Sequence, residues 1–309
     1  WWVNPYGHAN KYIADCIYKQ LITLEHVLFG GFTHAPAIEL TQELLKILPK
    51  NQQKIFFSDN GSTSVEVALK TAFQYHYNKG VKKNVVVAFE EAFHGDTFGA
   101  MSVSGISLFT EVFKHQAIHV CRIPIPIKGK EQESKQRLQH VISENQVAAF
   151  IFEPLVLGAA GMVMYEPVVL DELIQICKEN SVLTIADEVM TGFGKTGKIF
   201  ACDYLVNQPD MMCLSKALTA GVLPMSITTF TQEIFEAFYD EDVNKAKNAG
   251  VAEAIKDIPM EWLVLETDAP YLSPVPYRGK RNESGYVSEV AGKIVDILGI
   301  SMDEVKEIT

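Results

Sequence analysis

Lys216 follows directly on an apolar run, Met211–Leu214, in the stretch DMMCLSKALTAG. A lysine that is desolvated or set near other cations loses its proton more readily. It then becomes an amine nucleophile, able to form a Schiff base with an aldehyde and afterwards to shuttle protons between carbons. Taken alone, the same lysine also fits an ordinary surface loop. Asp187 closes a second apolar run, in SVLTIADEVMTGFGKTGK. A carboxylate in such a place is costly without a cationic partner, and the protonated nitrogen of a pyridine ring is one such partner. A cap on the next helix, or a nearby lysine, would also answer for it.

Phe93-His94-Gly95 stands just beyond a third run, VVVAF. An aromatic face there can stack on a planar heteroaromatic ring, or it can simply belong to the core beside a hydrogen-bonding histidine. The stretch IFFSDNGSTSVEVALK reads as strand, Gly/Ser turn and helix, with Thr63 and Glu66 at capping-box spacing. A helix N-terminus offers unpaired N–H groups and the positive end of the helix dipole, which together bind phosphate. Gly61 lets the backbone come close, and Ser62 and Thr63 add hydroxyls; a plain capped helix is the simpler reading. Gly192–Lys198 matches G-x-x-x-x-G-K, but Ile199 follows where a P-loop carries Ser or Thr, so no ATP site is expected.

The elements that must position these residues alternate. Candidate strands are Lys54–Ser58, Asn84–Phe89, His119–Ile123, Ala148–Glu153, Val182–Asp187, Met211–Leu214 and Ser226–Phe230, with amphipathic stretches such as Val65–Tyr77 and Val168–Asn180 between them. The pattern predicts an α/β fold whose mainly parallel sheet is flanked by helices, with ligand sites at the carboxyl ends of the strands. The phosphate turn, Phe93-His94, Asp187 and Lys216 each fall at such an end.

A chain of 309 residues with 48% hydrophobic and 21% charged residues can bury a sizeable core. Its net charge of −11 argues against a broad nucleic-acid-binding surface. Five dispersed cysteines without a C-x-x-C pair suit a reducing cytoplasm. No apolar run is long enough to span a bilayer, and the opening WWVNPYGHAN has no signal-peptide pattern. The text begins as if mid-domain, so a truncated front end is expected.

The stretches FGGFTHAPAIEL, DNGSTSVEVALK, FHGDTFGAMSVSG, EPLVLGAAGM, ADEVMTGFGKTGK and SKALTAG, with the leading Trp1-Trp2, cover almost all of residues 1–246. Together they resemble class III (ω-type) aminotransferases of fold type I, which use pyridoxal 5'-phosphate. The resemblance is strongest to the branch that moves an amino group from S-adenosylmethionine to 8-amino-7-oxononanoate in biotin synthesis. It implies that Gly61 and Ser62 hold the cofactor phosphate, that Phe93, beside His94, stacks on the ring, and that Asp187 pairs with the pyridine nitrogen. It further implies that Lys216 carries the cofactor, that Trp1 or Trp2 lines the substrate pocket, and that Gly30-Gly31 lies near the site of a dimer partner. Phe93 stands where many members have Tyr, and Lys195 where Arg is usual, which removes any bidentate contact there. The family's N-terminal segment, a Thr that reaches the neighbouring subunit's phosphate and a small domain with a carboxylate-binding Arg have no counterpart here. Truncation at both ends is the expectation, with loss of activity as one consequence.

Register changes near Ala246–Lys247. Residues 247–309, through LVLETDAPYLSPVPYRGKRNESGYV, resemble the C-terminal end of TatD-family metal-dependent hydrolases, deoxyribonucleases on a TIM-type barrel. Asp268 sits where such a barrel places a metal ligand, but a tail of this length supplies one or two of eight β/α units. One carboxylate does not make a hydrolytic metal site, so Asp268 is expected to be vestigial and the chain a join of two families.

Overall fold

The apolar runs pair into one seven-stranded sheet in the structure, a computed structural model that describes residues 1–27, 29, 33–105, 113, 118–239, 273–277 and 280–308. The chain divides into two compact units, Trp1–Phe238 and Tyr239–Thr309.

In the first unit, α1 (Lys11–Leu21) and α2 (Ala35–Ile47) precede β1 (Gln52–Ser58) and α3 (Gly61–Asn78). Then come β2 (Val85–Phe89), α4 (Phe98–Val103), β3 (Val120–Ile123), α5 (Glu131–Glu144) and β4 (Val147–Phe152). A small ribbon of β5 (Val156–Leu157) and β6 (Val163–Met164) leads to α6 (Pro167–Glu179), β7 (Leu183–Asp187) and β8 (Met211–Leu214). β9 (Ser226–Thr231) and α7 (Gln232–Glu236) follow. The strand order is β1-β9-β8-β7-β4-β2-β3. Pairs among β3, β2, β4, β7 and β8 are parallel, whereas β9 runs antiparallel to both β8 and β1. This is the mixed, mainly parallel sheet that the alternation predicts.

The central strands read as unbroken apolar runs because helices cover both faces. Val85, Val87, Phe89, Phe150 and Phe152 point into one core with Leu138 of α5 and Leu170, Leu173 and Ile174 of α6. Val86, Ala88, Ala149 and Ile151, one residue out of phase, join Val65, Ala68, Leu69 and Ala72 of α3 in the other. The period-two alternation of the strands thus sorts side chains between two helical layers.

Two local expectations change. α3 starts at Gly61, four residues ahead of the amphipathic stretch, because its capping box is built by Asn60 and Thr63 rather than Thr63 and Glu66. The Asn60 side chain accepts the Thr63 N–H at 3.1 Å and Thr63 Oγ1 accepts the Asn60 N–H at 3.0 Å. Glu66 instead reaches across to accept the N–H groups of Gly99 and Ala100 at the head of α4. β4 stops at Phe152, leaving Glu153 just past its end.

The second unit contains α8 (Val287–Leu298) and α9 (Met302–Ile308). Ala291, Ile294 and Val305 form its small core. Asp268, the seam near residue 246 and Gly30-Gly31 lie outside the described residues. No helix among the described residues is long and apolar enough to cross a membrane.

Candidate active site

Four adjacent parallel strands, β2, β4, β7 and β8, end on the same edge of the sheet. Their C-terminal ends deliver, in that order, Phe93-His94, Glu153, Asp187 and Lys216, and all five residues line one cavity of about 750 Å³. Trp1, Trp2, Gly61 and Ser62 line it too, whereas the Thr63 hydroxyl does not: it bonds the Asn60 N–H and C=O in the cap of α3.

Lys216 takes a left-handed backbone conformation, φ 44°, at the start of a 3-10 turn running to Thr219. That geometry turns its side chain from the strand end into the cavity. Burial lowers its ammonium pKa, while the carboxylates of Asp187 and Glu153 oppose the fall. Its Nζ lies 5.3 Å from the centre of the Trp2 ring, within cation–π reach.

Asp187 is buried. Its Oδ2 is 2.7 Å from His94 Nδ1, and its Oδ1 accepts the N–H of Val189 at 3.0 Å. The carboxylate is therefore held in orientation by an imidazole and a backbone amide, and each oxygen retains acceptor capacity. The His94 side chain is wholly buried, and its Nε2 has no hydrogen-bond partner among the described residues. Its backbone N–H donates to Ser104 Oγ at 2.9 Å.

The head of α3 also borders the cavity. The N–H groups of Gly61 and Ser62 stand in the first helical turn, where an α-helix has no internal acceptors for them. Ser62 Oγ accepts the N–H of Asp96 at 3.1 Å, which ties this turn to the loop after Phe93-His94. The two segments touch so closely that a Cβ on Gly95 would stand 2.2 Å from Ser62 Oγ. A Cβ on Gly61 would stand 2.9 Å from Val189 Cγ1. Both glycines keep backbone where a side chain would fill the cradle, as close binding of a phosphate requires.

Trp2, in a left-handed backbone conformation with φ 58°, separates this cavity from a second of about 550 Å³. Trp1 is almost fully exposed and packs edge-on against Trp2, with ring centres 5.8 Å apart. Lys195, with His8 and Asn4, borders the second cavity rather than the first. Burial lowers its ammonium pKa, helped by the charge of Lys216. The G-x-x-x-x-G-K stretch to which it belongs forms turns, not a strand–loop–helix.

Glu153 escaped the motif reading. It closes the apolar run AAFIF just as Asp187 closes LTIA, and that shared pattern was the signal available. Its neighbourhood is non-local: Oε1 accepts the N–H of Phe93 and Oε2 that of Gly158, both at 3.0 Å. Glu188, wholly buried, turns away from the cavity and accepts the N–H groups of Ala201 and Cys202 at 3.1 and 2.7 Å.

The family description "Aminotransferase class-III" matches residues 1–247. The chain belongs to the class-III aminotransferases. Within that family it is 48% identical over 246 residues to the adenosylmethionine-8-amino-7-oxononanoate aminotransferase of Synechococcus elongatus, covering 77% of this chain and 58% of that one. To the enzyme of the same name from Staphylococcus aureus it is 40% identical, over 78% of this chain and 56% of that one. This class-III member thus spans less than two thirds of the curated relatives it matches. The crystal structure of the Methanocaldococcus jannaschii enzyme of that name superposes with a TM-score of 0.73 at 37% identity, over 78% of this chain and 56% of that one. An amine transaminase from an uncultivated Pseudomonas species, in its PLP-bound form, gives 0.74 at 27% identity, over 80% of this chain and 59% of that one. The description "TatD related DNase" matches residues 226–309.

Proposed function

We propose that residues 1–246 are the cofactor-binding core of a pyridoxal-phosphate-dependent aminotransferase. Its amino donor is S-adenosylmethionine and its acceptor 8-amino-7-oxononanoate, giving 7,8-diaminononanoate for biotin synthesis. The observation that carries the reading is the convergence of Lys216, Asp187 and Phe93 in one cavity, each brought there by the C-terminal end of a parallel strand. The substrate pair is supported by the names of the relatives quoted above.

The residues present fit the cofactor's three parts: a glycine-lined helix head for a phosphate, an aromatic face and a buried carboxylate for a pyridinium ring, and a desolvated amine for an aldehyde. When bound, pyridoxal phosphate supplies a carbonyl carbon that takes up nitrogen and a ring that draws electrons from the carbon bearing it. Gly61 and Ser62 bind the phosphate with first-turn N–H groups and a hydroxyl. Phe93 orients the ring by stacking and, standing where many members have Tyr, keeps that aromatic face without the hydroxyl. Asp187 holds a proton at the ring nitrogen, and His94, at 2.7 Å, keeps the carboxylate aimed. Lys216 Nζ, whose pKa burial lowers, holds the cofactor and, once displaced, moves a proton to and from the substrate carbon. Trp2 covers Lys216 and excludes water, and with Trp1 it walls the substrate side.

The reading includes a homodimer in the cytoplasm. Supporting it, α1 buries none of its residues although it carries Tyr12, Tyr18 and Leu21 on its surface, with Ile22 exposed just beyond. Neither a membrane nor a nucleic acid is an expected partner. Residues 247–309 are read as a TatD-like fragment joined to the aminotransferase near residue 246, with Asp268 vestigial; among the described residues no group of three or more His, Cys, Asp or Glu could hold a metal ion. Metal-dependent deoxyribonuclease activity is the alternative that the tail's family match favours.

The test is a pyridoxal-phosphate titration followed by borohydride trapping and peptide mapping. Label confined to Lys216 and absent in Lys216→Ala is expected, and amino transfer from S-adenosylmethionine is then assayed. Label spread over many lysines in the unaltered chain would refute the assignment.

A further inference from the structure

Phe152 pairs with Ala186 in the parallel register of β4 and β7, so the next residues along, Glu153 and Asp187, leave neighbouring strand ends side by side. Two carboxyl groups are thereby buried in one cavity whose described basic groups are Lys216 and His94. Asp187 has the His94 ring as its partner; among the described residues Glu153 has no ion pair, and it spends its two oxygens on two backbone N–H groups. Those amides belong to different loops. Phe93 carries the stacking face, and Gly158 forms a wall where a Cβ would lie 3.1 Å from Met190 Cε and 3.7 Å from the Trp2 ring.

We propose that Glu153 is a positioning residue of this site: one carboxylate ties the ring-stacking segment to the Trp2–Met190 wall, sets the width of the slot between them, and adds to the negative charge that Asp187 presents to Lys216. The proposal rests on the aminotransferase reading for what fills the slot. The carboxylate's interest lies in its cost. Burial raises the Glu153 pKa, His94 lowers it, Asp187 raises it again, and the two N–H donors lower it. An amide would cost less electrostatically, but its single oxygen could accept only one of the two N–H groups. The second N–H, aimed at the other oxygen, would then meet an NH₂ group. The charge has a second consequence, since Lys216 faces Asp187 from β7 and Glu153 from β4, with Lys195 as the neighbouring cation and the Trp2 ring above. Both carboxylates work against the burial that lowers the Lys216 pKa.

The experiment reads Lys216 directly, without cofactor. The full chain is acylated with a small amine-reactive reagent across a pH series, and label at Lys216 is quantified by peptide mass spectrometry. Glu153→Gln is expected to move half-labelling of Lys216 to lower pH than in the unaltered chain, while exposed Lys128 keeps its curve. Glu188→Gln, which also removes a wholly buried carboxyl but one outside the cavity, is expected to lower stability and leave the Lys216 curve in place. Glu153→Asp keeps the charge and shortens the reach; it is expected to hold the Lys216 curve near that of the unaltered chain and to weaken pyridoxal-phosphate binding by about tenfold, the loss of one hydrogen bond to a charged group. A folded Glu153→Gln chain with an unmoved Lys216 curve overturns the proposal. So does a Glu153→Asp chain that binds cofactor as tightly as the unaltered one, which also decides the matter where Glu153→Gln does not fold. Should the unaltered chain attach no cofactor at Lys216 while the labelling shift is present, the aminotransferase reading fails and the charge balance stands.

Discussion

Gly95→Ala is the substitution whose cost follows most directly from the geometry. Gly95 has φ +132°, a backbone conformation that L residues rarely adopt. A Cβ there would lie 2.2 Å from Ser62 Oγ, 2.7 Å from Ser62 Cβ and 3.0 Å from Ser62 Cα. The dihedral strain is about 1–3 kcal/mol. Relief of the overlap must move Ser62 at the head of α3, and forced shifts of that kind also cost about 1–3 kcal/mol. Together about 3 kcal/mol is expected, which for a unit of this size lowers Tm by roughly 6–12 °C. Because Ser62 is displaced from the phosphate end of the cavity, pyridoxal-phosphate affinity should fall by about tenfold or more. The assay is a double-mutant cycle by thermal unfolding. In a Ser62→Gly background the two nearer atoms are gone, and Gly95→Ala should then cost only its dihedral strain, leaving a coupling of about 1.5 kcal/mol. Equal cost in the two backgrounds would refute the argument that Ser62 and Gly95 form one cradle.

Three further outcomes are expected. Asp187→Asn keeps the shape of the site but removes the charge proposed to face the ring nitrogen; the chain should still attach cofactor at Lys216 and transfer an amino group about a hundredfold more slowly, as stopped-flow single turnovers would show. Burial raises the Glu188 pKa above 4.5, so its stabilising share is fully present below pH 4.5 and is lost as pH rises through the raised value. Urea unfolding across that window should show stability falling with pH in the unaltered chain and a flatter profile in Glu188→Gln. Charging the exposed face of α1 by Tyr18→Glu with Ile22→Glu should shift sedimentation toward monomer, and unchanged association would remove α1 from the dimer interface.

Much of the fold could be read from the chain because strands buried on both faces leave a signature that survives without context. VVVAF, LTIAD and MMCL are short apolar runs of the kind a covered parallel sheet contains, and the positions of Phe93, Asp187 and Lys216 just beyond or at their ends follow from that. Helix starts were less legible. The capping box of α3 is formed by Asn60 and Thr63, and a competing Thr63–Glu66 spacing in the same stretch could be dismissed only when Glu66 was found bonded to α4, more than thirty residues away.

By itself, then, the sequence determined residue types, their order and the family to which they belong, because those properties are local and are carried by whole motifs. The tertiary structure decided which strands lie side by side, and hence that Glu153 falls next to Asp187, that Gly95 presses on Ser62, and that Trp2 rather than another residue lies over Lys216. No spacing along the chain encodes those neighbours. They follow from strand order and register, which the joint burial of two helical layers against one sheet selects.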